Sequence, residues 1–155
     1  MKRNFPFFLL FIILICVVMY KNVYSLDVNM KTKNNLFEEA YKESALKNGV
    51  REITYDQFMR IRNSKEEYIL LDVRSEGIYK DGYIEKAILF PVKSINKESS
   101  ERLLRKDSKV IVYCTGFECP ASTHVAKELA SLGYKVLDYK GGVEEWIKKG
   151  NKLSK

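Results

Sequence analysis

The chain has 155 residues, of which 46% are hydrophobic and 30% charged, enough apolar content for one domain with a real core and too much for intrinsic disorder. Its formal net charge of +7 is spread along the chain with acids among the bases. No basic block is interleaved with exposed aromatics, which argues against nucleic-acid binding and for a solvated, mildly basic surface.

Lys2 and Arg3 precede an uncharged apolar run from Phe5 to Tyr20, and Val23-Tyr24-Ser25 offers small residues where a signal peptidase cleaves. Residues 1–25 therefore read as a signal peptide or an uncleaved signal anchor. The run is shorter than the about 20 residues of a usual spanning helix, although Asn22 to Leu26 can extend it, so cleavage and retention both stand. If retained, residues 5–20 are the membrane contact. Ile15 precedes Cys16 where a lipoprotein site needs a small residue, so Cys16 reads as an apolar membrane residue. Basic residues tend to stay inside, so Lys2 and Arg3 place the domain on the extracytoplasmic side, periplasmic or cell-surface, with Lys21, Lys31 and Lys33 acting against that rule. Loss of residues 1–25 lowers the net charge by three, because the segment carries Lys2, Arg3 and Lys21 and no acid.

Residues 26–49 form a polar tether, partly helical, in which Phe37, Ala40, Tyr41 and Ala45 recur at helical spacing and Gly49 ends the segment. From Val50 strands and helices alternate. Arg51–Ile53 is a strand, and Thr54-Tyr55-Asp56-Gln57 is a capping box that opens a helix to Arg62. Strands follow at Tyr68–Val73 and at Ala87–Phe90, the latter closed by Pro91. Glu98–Lys106 is a helix, Lys109–Tyr113 the central strand, Pro120–Leu132 a helix ended by Gly133, and Lys135–Tyr139 a strand. Gly141 and Gly142 turn the chain into a helix at Val143–Lys149. The alternation predicts an α/β domain over residues 50–150, with a central, mostly parallel five-stranded sheet and helices on both faces. A polar tail, 151–155, follows.

The stretch Val110 to Ser122, VIVYCTGFECPAS, runs an apolar β-branched strand into Cys114 and then through a short loop to a helix. Ligand crevices in open α/β sheets lie beyond the carboxyl ends of the strands, where Cys114 sits. Gly116 permits unusual backbone angles, Pro120 suits a helix start, and Val125, Ala126, Leu129 and Leu132 carry the helix's apolar spacing. Loop amides and the helix N-terminus then point at Cys114, a setting that depresses a thiol pKa and binds anions. The alternative is a small apolar residue ending a buried strand. Cys119 has three readings: it packs the helix start, it resolves a Cys114 persulfide by forming a disulfide, or it holds metal with Cys114 and His124. The Cys-x4-Cys-x4-His spacing is not a zinc pattern and shows no fourth ligand, so no metal is assigned, and His124 reads as an exposed or capping residue. A phosphatase or arsenate reductase needs Cys-x5-Arg, and the residue there is Pro120.

Three blocks, Leu70 to Ala87, Val110 to Ser122 with its helix, and Gly133 to Trp146, resemble the rhodanese-like family in order and spacing, across Val50 to Gly150. The matching residues are Asp72-Val73-Arg74, Tyr79 with Gly82, Cys114, and Gly141-Gly142 with Trp146. The resemblance implies a small α/β domain and sulfur transfer through a cysteine persulfide. Cys114 is then the catalytic residue, and Thr115, Gly116, Phe117, Glu118 and Cys119 form the substrate-binding loop. It implies no cofactor, a small donor such as thiosulfate, polysulfide or a persulfide, and a thiol acceptor or cyanide. Asp72 and Arg74 read as a buried structural pair. Three departures stand out: Tyr83 stands where the pattern usually has His, Lys86 stands where it often has Gly, and the loop after Cys114 is about two residues longer than the single-domain pattern, which favours a pocket roomier than thiosulfate needs. A non-catalytic rhodanese-like module binding at the membrane surface is the alternative, and the oligomeric state stays open.

Overall fold

The computed structural model describes residues 12–24, 35–47 and 49–155. Lys2, Arg3, the first part of the apolar run, the cleavage position at Ser25 and the start of the tether, residues 26–34, lie outside the described residues. Residues 12–24 form helix α1 with exposed side chains. No helix among the described residues is long and apolar enough to cross a membrane.

Helix α2, Leu36–Glu43, buries Phe37 and Ala40, which places the helical part of the tether against the domain. The Phe37 amide donates to Glu66 Oε2 at 2.9 Å, and Glu66 is also paired with Lys109. Next come strand β1, Leu46–Lys47, strand β2, Val50–Ile53, and helix α3, Tyr55–Arg62. The expected capping box opens α3: Thr54 Oγ1 accepts from the Gln57 amide, and Gln57 Oε1 accepts from the Thr54 amide. Strand β3 is Ile69–Asp72, helix α4 Glu76–Asp81 and strand β4 Ile88–Leu89. A 3-10 turn at Val92–Ser94 leads into α5, Lys97–Leu103, which is capped by Asn96. Strand β5, Lys109–Tyr113, helix α6, Ala121–Ser131, strand β6, Lys135–Tyr139, and helix α7, Gly142–Lys148, complete the order.

The sheet has six strands in the order β1-β2-β6-β5-β3-β4, not the expected five, and every pairing is parallel except β1 with β2. The added strand lies in the segment read as tether. Its two residues are both exposed, so no apolar pattern marks it, and backbone pairing of Leu46 with Arg51 and Lys47 with Val50 defines it. Helix α4 carried no signal either, because it buries no residue. Helix α5 stops at Leu103 rather than Lys106, where Leu104 turns into the core.

Alternation along the strands gives the sheet two apolar faces. Ile111, Tyr113, Leu137 and Tyr139 pack with Phe58, Ile61 and Trp146 on the face covered by α2, α3 and α7. Val110, Val112, Cys114 and Val136 pack with Val125, Ala126, Leu129 and Leu104 on the face covered by α5 and α6. Strand β5 is fully buried from Val110 to Tyr113, and each such aliphatic side chain contributes about 1.5–3 kcal/mol relative to exposure. A fully buried strand thus leads directly to Cys114. Residues 151–155 are paired rather than free: Ser154 exchanges main-chain hydrogen bonds with Tyr83, and the Trp146 indole donates to the Lys152 carbonyl at 3.0 Å.

Candidate active site

Cys114 follows β5 directly, is 4% exposed, and sits on the α6 side of the sheet. It is bonded to Cys119 across the loop, with the two Cα atoms 6.3 Å apart, inside the roughly 4.4–6.8 Å that a disulfide spans. Cys119 is half-buried, so it is the more exposed residue of the pair. Between them Thr115 Oγ1 lies 4.0 Å from Cys114 Sγ, Gly116 is buried, and Phe117 and Glu118 are exposed. The Cys119 amide donates to the Gly116 carbonyl at 3.0 Å, so in this closed form it is engaged in the turn.

The second wall is the start of α7. The amides of Val143 and Glu144 donate to the carbonyls of Cys114 and Thr115 at 3.1 and 2.8 Å. Gly142, at φ 55°, makes this approach possible: a Cβ there would overlap the Cys114 carbonyl oxygen and stand 2.9 Å from the Thr115 carbonyl. The glycine with unusual angles is therefore Gly142. Gly116 is not in the left-handed region, and its neighbour is the Glu144 carboxylate.

A third element was not anticipated from the sequence. The Lys140 ammonium donates to the Cys119 carbonyl and, at 3.0 Å, to Thr123 Oγ1, and the Thr123 hydroxyl donates to Asp138 Oδ2 at 3.0 Å. Asp138 is fully buried, and burial pushes its carboxyl pKa up. The signal was a carboxylate inside the otherwise apolar KVLDY strand, since a charge is rarely buried there without a partner. Ser122 Oγ and Asp138 Oδ1 are buried without a hydrogen-bond partner among the described residues.

Asp72 and Arg74 form a buried ion pair. Arg74 Nε and Nη2 donate to Asp72 at 2.9 and 2.6 Å, and Nη2 also donates to the Gly82 carbonyl at 2.8 Å. The Tyr113 hydroxyl donates to Asp72 Oδ2 at 2.6 Å and accepts from the Ile84 amide at 3.1 Å; burial and the neighbouring carboxylate raise its pKa. The network ties β3, β5 and the segment after α4 together beside the site. Tyr83 stacks on Tyr79 with ring centroids 4.3 Å apart. His124 is exposed, and no group of three His, Cys, Asp or Glu side chains that could hold a metal ion occurs among the described residues.

A cleft of ≈ 360 Å³ adjoins the loop, lined by Phe117, Lys140, Glu145, Thr54 and Gln57 with residues of the β1 edge. A larger depression of ≈ 1380 Å³ lies around Arg62, Tyr68, Ile69 and Lys109, at the amino ends of β3 and β5 and therefore at the far end of those strands from Cys114.

A family model described as the rhodanese-like domain matches residues 54–149, a span that holds β3, Cys114, the loop and the Gly141-Gly142 turn. The chain belongs to the rhodanese-like domain family. Among solved structures, it is 34% identical to the BH2092 protein of Bacillus halodurans, with a TM-score of 0.60 over 66% of this chain and 75% of that one. It is 28% identical to the rhodanese-like domain of the Anabaena Alr3790 protein, with a TM-score of 0.52 over 57% of this chain and 100% of that one. A curated relative, a probable molybdopterin-synthase adenylyltransferase of Porphyra purpurea, is 33% identical over 85 residues, 55% of this chain, and the chain spans 22% of its length. Residues 35–53, which supply α2, β1 and β2, precede the matched span of the rhodanese-like domain.

Proposed function

We propose that the domain is a sulfurtransferase that carries sulfane sulfur on Cys114. The observation that carries this reading is the placement of Cys114 at the carboxyl end of the buried strand β5, within bonding distance of a second thiol on the loop. Reduction frees both thiols. The Cys114 thiolate then attacks the outer sulfur of thiosulfate, a polysulfide or a persulfide and expels sulfite or a shorter thiolate, leaving Cys114-S-S⁻. An acceptor thiolate or cyanide attacks the outer sulfur, and the Cys114 thiolate departs. A thiol that is already ionised needs no general base.

Cys119 supplies the competing step. Its thiolate attacks the inner sulfur of the persulfide, hydrosulfide leaves, and the Cys114–Cys119 disulfide forms. A dithiol reductant restores the two thiols by exchange, taking up the two electrons' worth of oxidation in its own disulfide. An extracytoplasmic position on an N-terminal anchor suits such a pair, because disulfides persist in oxidising compartments. A reporter fused after Lys155 tests that position: activity confined to the cytosol would overturn it.

The test of the reaction is to reduce the protein, remove the reductant, add thiosulfate or polysulfide, and measure cyanolysable sulfur and mass. The parent gains one sulfur atom on Cys114, and Cys114→Ser gains none while keeping its fold. A parent that acquires no labile sulfur from any donor is a binding module.

A further inference from the structure

The far end of the loop after Cys114 joins α6 directly, and Cys119 packs at the edge of the apolar cluster that α6 covers. The loop's own main chain offers Cys119 one bond, from the Cys119 amide to Gly116, while the side chains of Phe117 and Glu118 face solvent. From outside the loop comes the Lys140 ammonium, which donates to the Cys119 carbonyl and to Thr123 Oγ1. Lys140 stands two residues after Asp138 on the same edge of the site, just past β6. The order of donors is fixed by the chemistry. A hydroxyl has one hydrogen, and Thr123 spends it on the buried Asp138 carboxyl, so its oxygen is left to accept from Lys140. The ammonium is thereby aimed at the Cys119 carbonyl, with a charge-assisted bond to the main chain of the residue that closes on Cys114.

We propose that Lys140, oriented through Thr123 by Asp138, is a positioning residue that holds Cys119 within reach of Cys114 and so sets the balance between dithiol and disulfide. Two thiols held near one another meet at a high effective concentration, and a looser tether lowers it. Loss of the Lys140 bond lets the Cys119 end of the loop wander from Cys114, which makes the disulfide easier to reduce. This role rests on the pair proposed above but not on sulfur transfer, and its measurement uses no sulfur donor.

The experiment equilibrates the full chain in buffers of reduced and oxidised dithiothreitol, traps thiols by alkylation, and reads the oxidised fraction by mass. Lys140→Met shifts the equilibrium toward the dithiol by about tenfold, or ~30 mV for this two-electron couple. Lys140→Arg, which keeps a charged donor of similar reach, restores at least half of that shift on a logarithmic scale. Unfolding midpoints recorded alongside separate a redox effect from general destabilisation, and Thr123→Val, which removes the link to Asp138, serves if Lys140→Met does not fold. An equilibrium unchanged in Lys140→Met, or in Thr123→Val where that variant stands in, overturns the proposal, as does an equal shift in Lys140→Met and Lys140→Arg. Failure of the reduced parent to take up sulfur would overturn the sulfurtransferase reading and leave this one standing.

Discussion

Gly142 passes against the Cys114 carbonyl so closely that no side chain fits between them, and the next amide, that of Val143, donates to the same oxygen at 3.1 Å. The start of α7 and the end of β5 therefore act as one piece. Gly142→Ala is expected to cost about 2–4 kcal/mol, from the left-handed backbone and from overlap with main-chain atoms that cannot move aside. Transfer of sulfur should fall with it. Gly116→Ala is the contrast: its obstacle is the end of the exposed Glu144 side chain, and its cost should stay within about 1 kcal/mol. Urea unfolding and cyanolysis of the two variants check the difference.

Cys119→Ala removes the thiol that competes for the Cys114 persulfide. The persulfide should live longer, hydrosulfide release should drop, and turnover should depend less on added dithiol. Mass spectra taken at intervals after loading with polysulfide give the lifetime. Identical lifetimes in variant and parent would reduce Cys119 to a packing residue.

Burial raises the folded-state pKa of Asp138 above its unfolded value, so the native state holds this proton more tightly than the unfolded chain does. Between those two pKa values the folded form binds more protons, and stability falls as pH rises. The penalty is absent well below the unfolded value of about 3.9, grows above it, and is complete once pH passes the raised folded value. Asp138→Asn has no such titration. Relative to the parent it should gain stability progressively from about pH 4 upward, which a series of urea melts at stepped pH measures. A parallel pH dependence in the two proteins would contradict this account.

Lys86 is the one non-glycine residue with positive φ among the described residues, at 70°. The left-handed backbone costs a residue with a Cβ about 1–2 kcal/mol, part of which glycine loses again to unfolded-chain entropy. Lys86→Gly should therefore stabilise the domain by about 0.5–1 kcal/mol, seen as a higher unfolding midpoint with unchanged activity.

What the sequence determined by itself was whatever depends on neighbours along the chain. The capping box from Thr54 to Gln57, the apolar period of α6 and the β-branched run of β5 are local, and each reappears within a residue or two of its expected place. The position of Cys114 at the end of a buried strand was legible because a strand of that composition must be buried and must end somewhere. Lys86 stood out only through the family resemblance, whose pattern often has Gly there, and its positive φ supplies the physical reason. Tertiary structure decided what depends on residues far apart. Strand β1 exists because Leu46 and Lys47 find the backbone of Val50 and Arg51, and nothing in two exposed side chains announces that pairing. The Asp72 carboxylate gains its second partner residue from Tyr113, forty-one positions on, and Lys140 reaches back twenty-one positions to the Cys119 carbonyl. Such contacts carry no period or spacing, because their partners meet only through the alignment of β3, β5 and β6 in the sheet.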